Sequence, residues 1–81
     1  MKKLEYKNNK NVIFGQLKFY RTKAGLTQEE LAARMQTMNV SMDQQMISKI
    51  ENNTRMVTDY ELACLCKILK VDSTEMLADF K

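Results

Sequence analysis

The chain has eighty-one residues, 44% of them hydrophobic and none of them proline, which makes one small domain with a single core, burying only about 60% of its unfolded surface. The formal charge of +3 lies entirely in the first ten residues, where Lys2, Lys3, Lys7 and Lys10 face Glu5, so an acidic partner has to be argued from how groups are arranged rather than from their sum. With no histidine there is no side chain whose ordinary pKa suits general-base work near neutrality, and no serine or cysteine has an evident activating partner, so an enzyme is not expected.

Residues 1–10, polar and lysine-rich, read as a loosely ordered arm, and with no apolar stretch after their charges no secretory signal is expected. From about Asn11 to Ala24, Ile13, Leu17, Tyr20 and Ala24 recur at helical steps, and Gly25 supplies the left-handed position that ends a helix. Thr27-Gln28-Glu29-Glu30 is a capping box that opens a second helix, with Leu31, Ala32 and Met35 facing inward and a fade after Gln36. A turn or loop is expected over Thr37 to Met42. A third helix begins near Ser41 or Asp43, either of which can cap it, with Asp43 favoured because it directly precedes the glutamine pair, and it ends at Asn52-Asn53, since asparagine tolerates the left-handed conformation well.

Thr58-Asp59-Tyr60-Glu61 is another capping box, opening a fourth helix with an apolar stripe of Leu62, Leu65, Cys66 and Leu69 and with Lys67 and Lys70 in its final turn. Cys64 and Cys66 point in different directions on that helix and are too few for a structural zinc site, so no metal is expected and reduced cysteines of a cytoplasmic protein are the simplest reading. The longest apolar run, Leu62 to Cys66, is far too short to span a bilayer. Asp72-Ser73-Thr74-Glu75 caps a short fifth helix containing Met76, Leu77 and Phe80. The expected fold is all-α, a compact five-helix bundle formed by residues 11–81.

The third helix carries the most specific pattern. At about 100° per residue, Gln44, Ser48, Asn52, Gln45 and Lys49 fall on one face and Met46, Ile50 and Ile47 on the other, with Glu51 on the boundary. The outer face is neutral apart from Lys49, and its groups both donate and accept hydrogen bonds. A glutamine there can present its C=O and NH₂ together to adenine N6 and N7. Taken alone, the same residues also suit plain solvent exposure.

The runs "LTQEELA", "ISKIENN" and "TDYELACLCKILKVDSTEML" together resemble the DNA-binding domain of the phage-repressor and Cro-like (XRE-like) helix-turn-helix family, over residues from about 11 to 78. The resemblance implies a lambda-repressor-like fold and a protein that binds double-stranded DNA to regulate transcription, without a cofactor. It implies that Gln44, Gln45, Ser48 and Lys49 face bases in the groove, that Gln28 meets a phosphate at a helix N-terminus, and that Asn52, Thr54 and Arg55 touch the DNA backbone. Arg21 and Glu51 match an internal ion pair, and Ala32 a small residue that lets two helices approach. Two features depart from the family pattern: Asn53 stands where glycine is common, and the stretch from Leu31 to Glu51 is several residues longer than usual, so either the excess bulges out or the second helix is extended.

Such domains read two half-sites as a dimer about 34–36 Å apart. Leu77 and Phe80 are candidate homodimer contacts, with a cap over the core as the alternative. With no room for a sensor domain, repression by occupying an operator is expected. The competing function is a protein-interaction module, for instance a small antitoxin-type partner-binding protein, although a partner-binding helix would more often expose leucines or aromatics than amides.

Overall fold

A computed structural model describes residues 6–80. Among them lie five helices, α1 (Phe14–Lys23), α2 (Gln28–Thr37), α3 (Gln44–Glu51), α4 (Asp59–Leu69) and α5 (Ser73–Met76). Local side-chain chemistry sets the start of four of them. Thr27, Asp43, Thr58 and Asp72 each adopt extended backbone and accept a hydrogen bond from the amide three residues on, which satisfies an otherwise orphaned donor. At Thr27, Thr58 and Asp72 the glutamate three residues later returns the bond to the cap's own amide, completing the expected boxes.

The ends share one device. Gly25, Asn39, Asn53 and Lys70 take positive φ values of 75°, 63°, 61° and 58°. In each case the following amide reaches back to close a Schellman motif: Leu26 to the Arg21 carbonyl, Val40 to Met35, Thr54 to Lys49 and Val71 to Cys66. Only the first of these four positions is glycine. The other three hold a side chain in a left-handed conformation that disfavours L-residues.

Two expected boundaries shift. The first helix begins at Phe14 rather than near Asn11, because the Asn11 side chain competes with helix formation: its Oδ1 accepts from the Ile13 amide and its Nδ2 donates to the carbonyls of Ile50, at 2.9 Å, and Arg55, at 3.0 Å. At the other end of that helix Tyr20 is half-buried and Ala24 is exposed, so the inward stripe is carried by Ile13, Leu17 and Arg21. The fifth helix is a single turn ending at Met76, with Leu77 as its C-cap and Phe80 in a separate turn beyond it.

The residues read as a loose arm are partly fixed as well. Residues 1–5 lie outside the described residues, but Tyr6 to Asn9 form a tight turn with reciprocal backbone bonds of 2.8 Å and positive φ at Lys7 and Asn8, the pattern of a type I′ turn.

The core is built from Leu17, Leu31, Met35, Met42, Ile47, Ile50, Leu65 and Met76, all fully buried, while Met46, expected on the apolar face of the third helix, is half-buried. Helix α2 ends at Thr37, one residue past the expected fade, and the expected turn before α3 occupies Met38–Asp43. This connection is packed rather than bulged: Val40 and Met42 are buried, and Gln36 Nε2 donates to the Met42 carbonyl at 2.8 Å. Ala32 is buried on the inner face of α2, where α2 and α3 form the most extensive helix pairing in the domain. No helix of the described residues is long and apolar enough to cross a membrane.

Candidate nucleic-acid interface

Helix α3 projects an ordered row of polar groups. Gln44, Gln45, Lys49 and Asn52 are exposed and Ser48 is half-buried, while Ile47, Ile50 and Glu51 are buried. The angular sorting of the sequence holds for the two faces, except that Glu51, expected on the boundary, is turned inward and Ser48 is only half exposed, and Asn52 Nδ2 lies 3.4 Å from Ser48 Oγ along the same row.

Behind the row stands a hydrogen-bond relay. Arg21 donates from Nε to Glu51 Oε2 at 2.6 Å, from Nη2 to Glu51 Oε1 at 3.0 Å and from Nη1 to the Leu26 carbonyl at 2.8 Å. Its side chain is 10% exposed and that of Glu51 3%. Glu51 Oε1 also accepts from Gln28 Nε2 at 3.0 Å, and Gln28 Oε1 accepts from Gln44 Nε2 at 2.7 Å.

The polarity of this relay is set at its buried end. An ionised carboxylate only accepts, so Gln28 must turn its NH₂ toward Glu51 and its C=O toward Gln44. Gln44 then spends one N–H inward and keeps a C=O and a second N–H for the outside. That remaining pair is what a bidentate contact to an adenine edge requires. The resemblance implied Gln28 as a phosphate contact; here one of its N–H groups is committed to Glu51, which leaves the other, together with the unsatisfied amides of the first turn of α2, for an anion.

The loop after α3 behaves differently from the helix face. Thr54 is exposed and its hydroxyl donates to the Lys49 carbonyl at 3.1 Å. Arg55 is half-buried and forms a fork with Glu61, Nη1 to Oε1 and Nη2 to Oε2, both 3.0 Å, while Nη1 also donates to the Met56 carbonyl at 2.8 Å. Hydrogen bonding to Glu61 raises the Arg55 pKa above its ordinary value. Burial alone would push the Glu61 carboxyl up, but the hydrogen bonds from Arg55 and from the Thr58 amide outweigh it and hold the group below the usual carboxylate range.

Glu61 thus serves both as the capping-box acid of α4 and as the partner of Arg55. Only the first of these roles follows from the sequence. The Asn53 side chain, expected only to tolerate a left-handed backbone, also binds the segment before α1: Oδ1 accepts from the amides of Lys10, at 2.9 Å, and Asn11, at 3.3 Å, and Nδ2 donates to Asn9 Oδ1 at 2.8 Å.

Cys66 is buried, and its thiol pKa is pushed up chiefly by that burial, with Asp72 and Glu75 adding to the rise, the opposite of what a reactive cysteine needs. Cys64 and Cys66 are both free thiols.

A family model for helix-turn-helix domains matches residues 17–76, most of the chain. The chain belongs to the XRE/Cro-like helix-turn-helix family. No curated protein and no solved structure gives a significant match. As a member of this family the protein is a DNA-binding transcriptional regulator, and the matched stretch takes in α2, the packed connection Met38–Asp43 and α3. The connection between α2 and α3 is anchored rather than loose, because Val40 and Met42 bury their side chains in the core under it.

Proposed function

We propose that the protein is a repressor that occupies a two-half-site operator as a homodimer, with α3 lying in the major groove. Gln44, Gln45, Ser48 and Lys49 read base edges, Gln28, Asn52 and Thr54 hold the phosphate backbone, and Arg55 adds a backbone contact from the part of its guanidinium not taken by Glu61. The observation that carries the reading is the relay from Glu51 through Gln28 to Gln44, which orders an exposed amide in the donor–acceptor pattern a base edge matches. A face that merely met solvent gains nothing from such ordering, since fixing a glutamine side chain loses rotamer entropy.

The dimer is proposed to form beside Leu77 and Phe80. Leu77 lines an apolar groove of about 450 Å³ together with Tyr6, Val12, Met56, Val57 and Leu62, and Phe80 stacks on Tyr6 with ring centroids 5.4 Å apart while remaining half exposed. The same groove is the feature that favours the second reading, a protein partner seated there.

Selection of bound sequences from a random DNA pool tests the proposal. A (pseudo)palindromic site with half-sites centred about 10–10.5 base pairs apart is expected, and Gln44→Ala or Gln45→Ala should cost about 1–3 kcal/mol on that site and relax preference at one base pair. If the pool yields no enriched sequence, or if the glutamine variants lose equally on random DNA, base readout by α3 is wrong and the partner-binding reading gains.

A further inference from the structure

The Asn53 side chain does more than occupy a left-handed position. It clasps the turn formed by Tyr6–Asn9 and the residue after it onto the C-terminal end of the recognition helix, through three hydrogen bonds that span 42 to 44 residues of chain. Asn11 adds a second, buried attachment to the same place by donating to the Ile50 and Arg55 carbonyls. The turn is itself rigid, with paired backbone bonds at 2.8 Å, and it carries Lys7 and Lys10, both exposed. It belongs to the first ten residues, whose Lys2, Lys3, Lys7 and Lys10 against Glu5 equal the whole formal +3, the remaining residues summing to zero.

We propose that this clasped turn is a second DNA-binding element, in which Lys7 and Lys10 contact backbone phosphates beside the segment Asn52–Arg55. The inference rests on the reading of α3 as the base-reading helix. The clasp begins at the residue directly after Asn52, the last of the exposed row, and one helical turn beyond Lys49. A turn bolted there moves with the recognition helix as one body, so its lysines meet the DNA without the ordering entropy that a free arm would lose on binding. Phosphate contacts of this kind position a protein and strengthen binding to every sequence alike, and each lowers affinity further as salt rises, by a slope of about 0.9 per phosphate neutralised. Beyond residue 10 the basic and acidic groups balance, so added cations beside α3 strengthen that term.

Binding of wild type, Lys7→Gln/Lys10→Gln and Asn53→Gly to the enriched operator and to a random duplex, each across a salt series, tests the proposal. Asn53→Gly keeps the left-handed backbone accessible and removes only the clasp. In both variants the slope of log K against log salt is expected to become shallower, by about one to two units in the lysine variant, with operator and random DNA losing affinity by the same factor and the base preference unchanged. A wild-type slope in the lysine variant overturns the phosphate contact, and a wild-type slope in Asn53→Gly alone overturns the role of the clasp. If wild type binds neither duplex, the reading of α3 and this inference fall together; if wild type binds and the variants match it, only the inference falls.

Discussion

Arg21→Ala removes the cationic end of the relay behind α3. In the wild type the Glu51 side chain is 3% exposed and accepts from Arg21 twice and from Gln28 once. After truncation a carboxylate remains out of water with one neutral donor, and the Leu26 carbonyl loses the bond from Nη1. Breaking a buried pair from one side costs about 3–5 kcal/mol, a large share of the roughly 5–15 kcal/mol that holds a domain folded. For a chain of this size that corresponds to a fall in melting temperature of roughly 12 to 40 °C.

Urea and thermal denaturation followed by circular dichroism measure the loss directly. The double variant Arg21→Met/Glu51→Leu provides the control, because replacing both partners removes the stranded charge and should recover most of the stability. It should not recover base preference, since Gln28 then has no carboxylate to orient it and Gln44 loses its fixed polarity. A single variant that loses less than about 1 kcal/mol, within the range of an exposed pair, would refute the buried-pair argument. A double variant with wild-type stability and undiminished base preference would refute the relay.

Three further outcomes follow from the same geometry. Met42→Ala should destabilise by about 2–5 kcal/mol because Met42 is 2% exposed, while Ser41→Ala, one residue away and exposed, should change urea midpoints little; equal effects would mean the lengthened turn is not packed. Lys70→Gly should stabilise by up to about 1 kcal/mol by relieving the left-handed lysine at the end of α4, and a destabilised variant in thermal melts would contradict the cap. The Glu61 carboxyl is lower in the folded protein than its ordinary value of 4.5, so its stabilisation is present above about that pH and is lost as pH falls through the folded value. Urea midpoints for Glu61→Gln should therefore fall less steeply on the acid side than those of wild type, and superimposable profiles would exclude the pairing as the cause.

Features that depend on residues three or four apart were legible in the sequence. The caps at Thr27, Asp43, Thr58 and Asp72 and the two faces of α3 follow from local chemistry, and each stands where periodicity and cap spacing put it. The partnership of Arg21 with Glu51 spans 30 residues and was reached only through family resemblance. Asn53 shows where local reading stops. Its tolerance of positive φ explained why asparagine can stand where glycine is common, but its three side-chain bonds run to a segment more than 40 residues away, and no spacing rule connects them. Arg55 and Glu61 are only six residues apart, yet the capping box already accounted for the glutamate and so concealed its second partner.

An eight-residue helix such as α3 is marginal by itself in water, so the precision with which it can aim side chains has to come from its surroundings. Ile47 and Ile50 anchor its inner face in the core. Its first turn is held by Asp43, which accepts from the Met46 amide at 2.8 Å, and by the contact of Gln44 with Gln28. Its last turn is held by the Asn11 bond to the Ile50 carbonyl and by the Schellman closure at Asn53. A longer turn before the helix would loosen its aim if that turn were the main restraint, but Val40 and Met42 tie the added residues into the core and the remaining restraints act on α3 itself. The orientation of the ordered row from Gln44 to Asn52 is thereby set by contacts of α3 itself more than by the connection that precedes it.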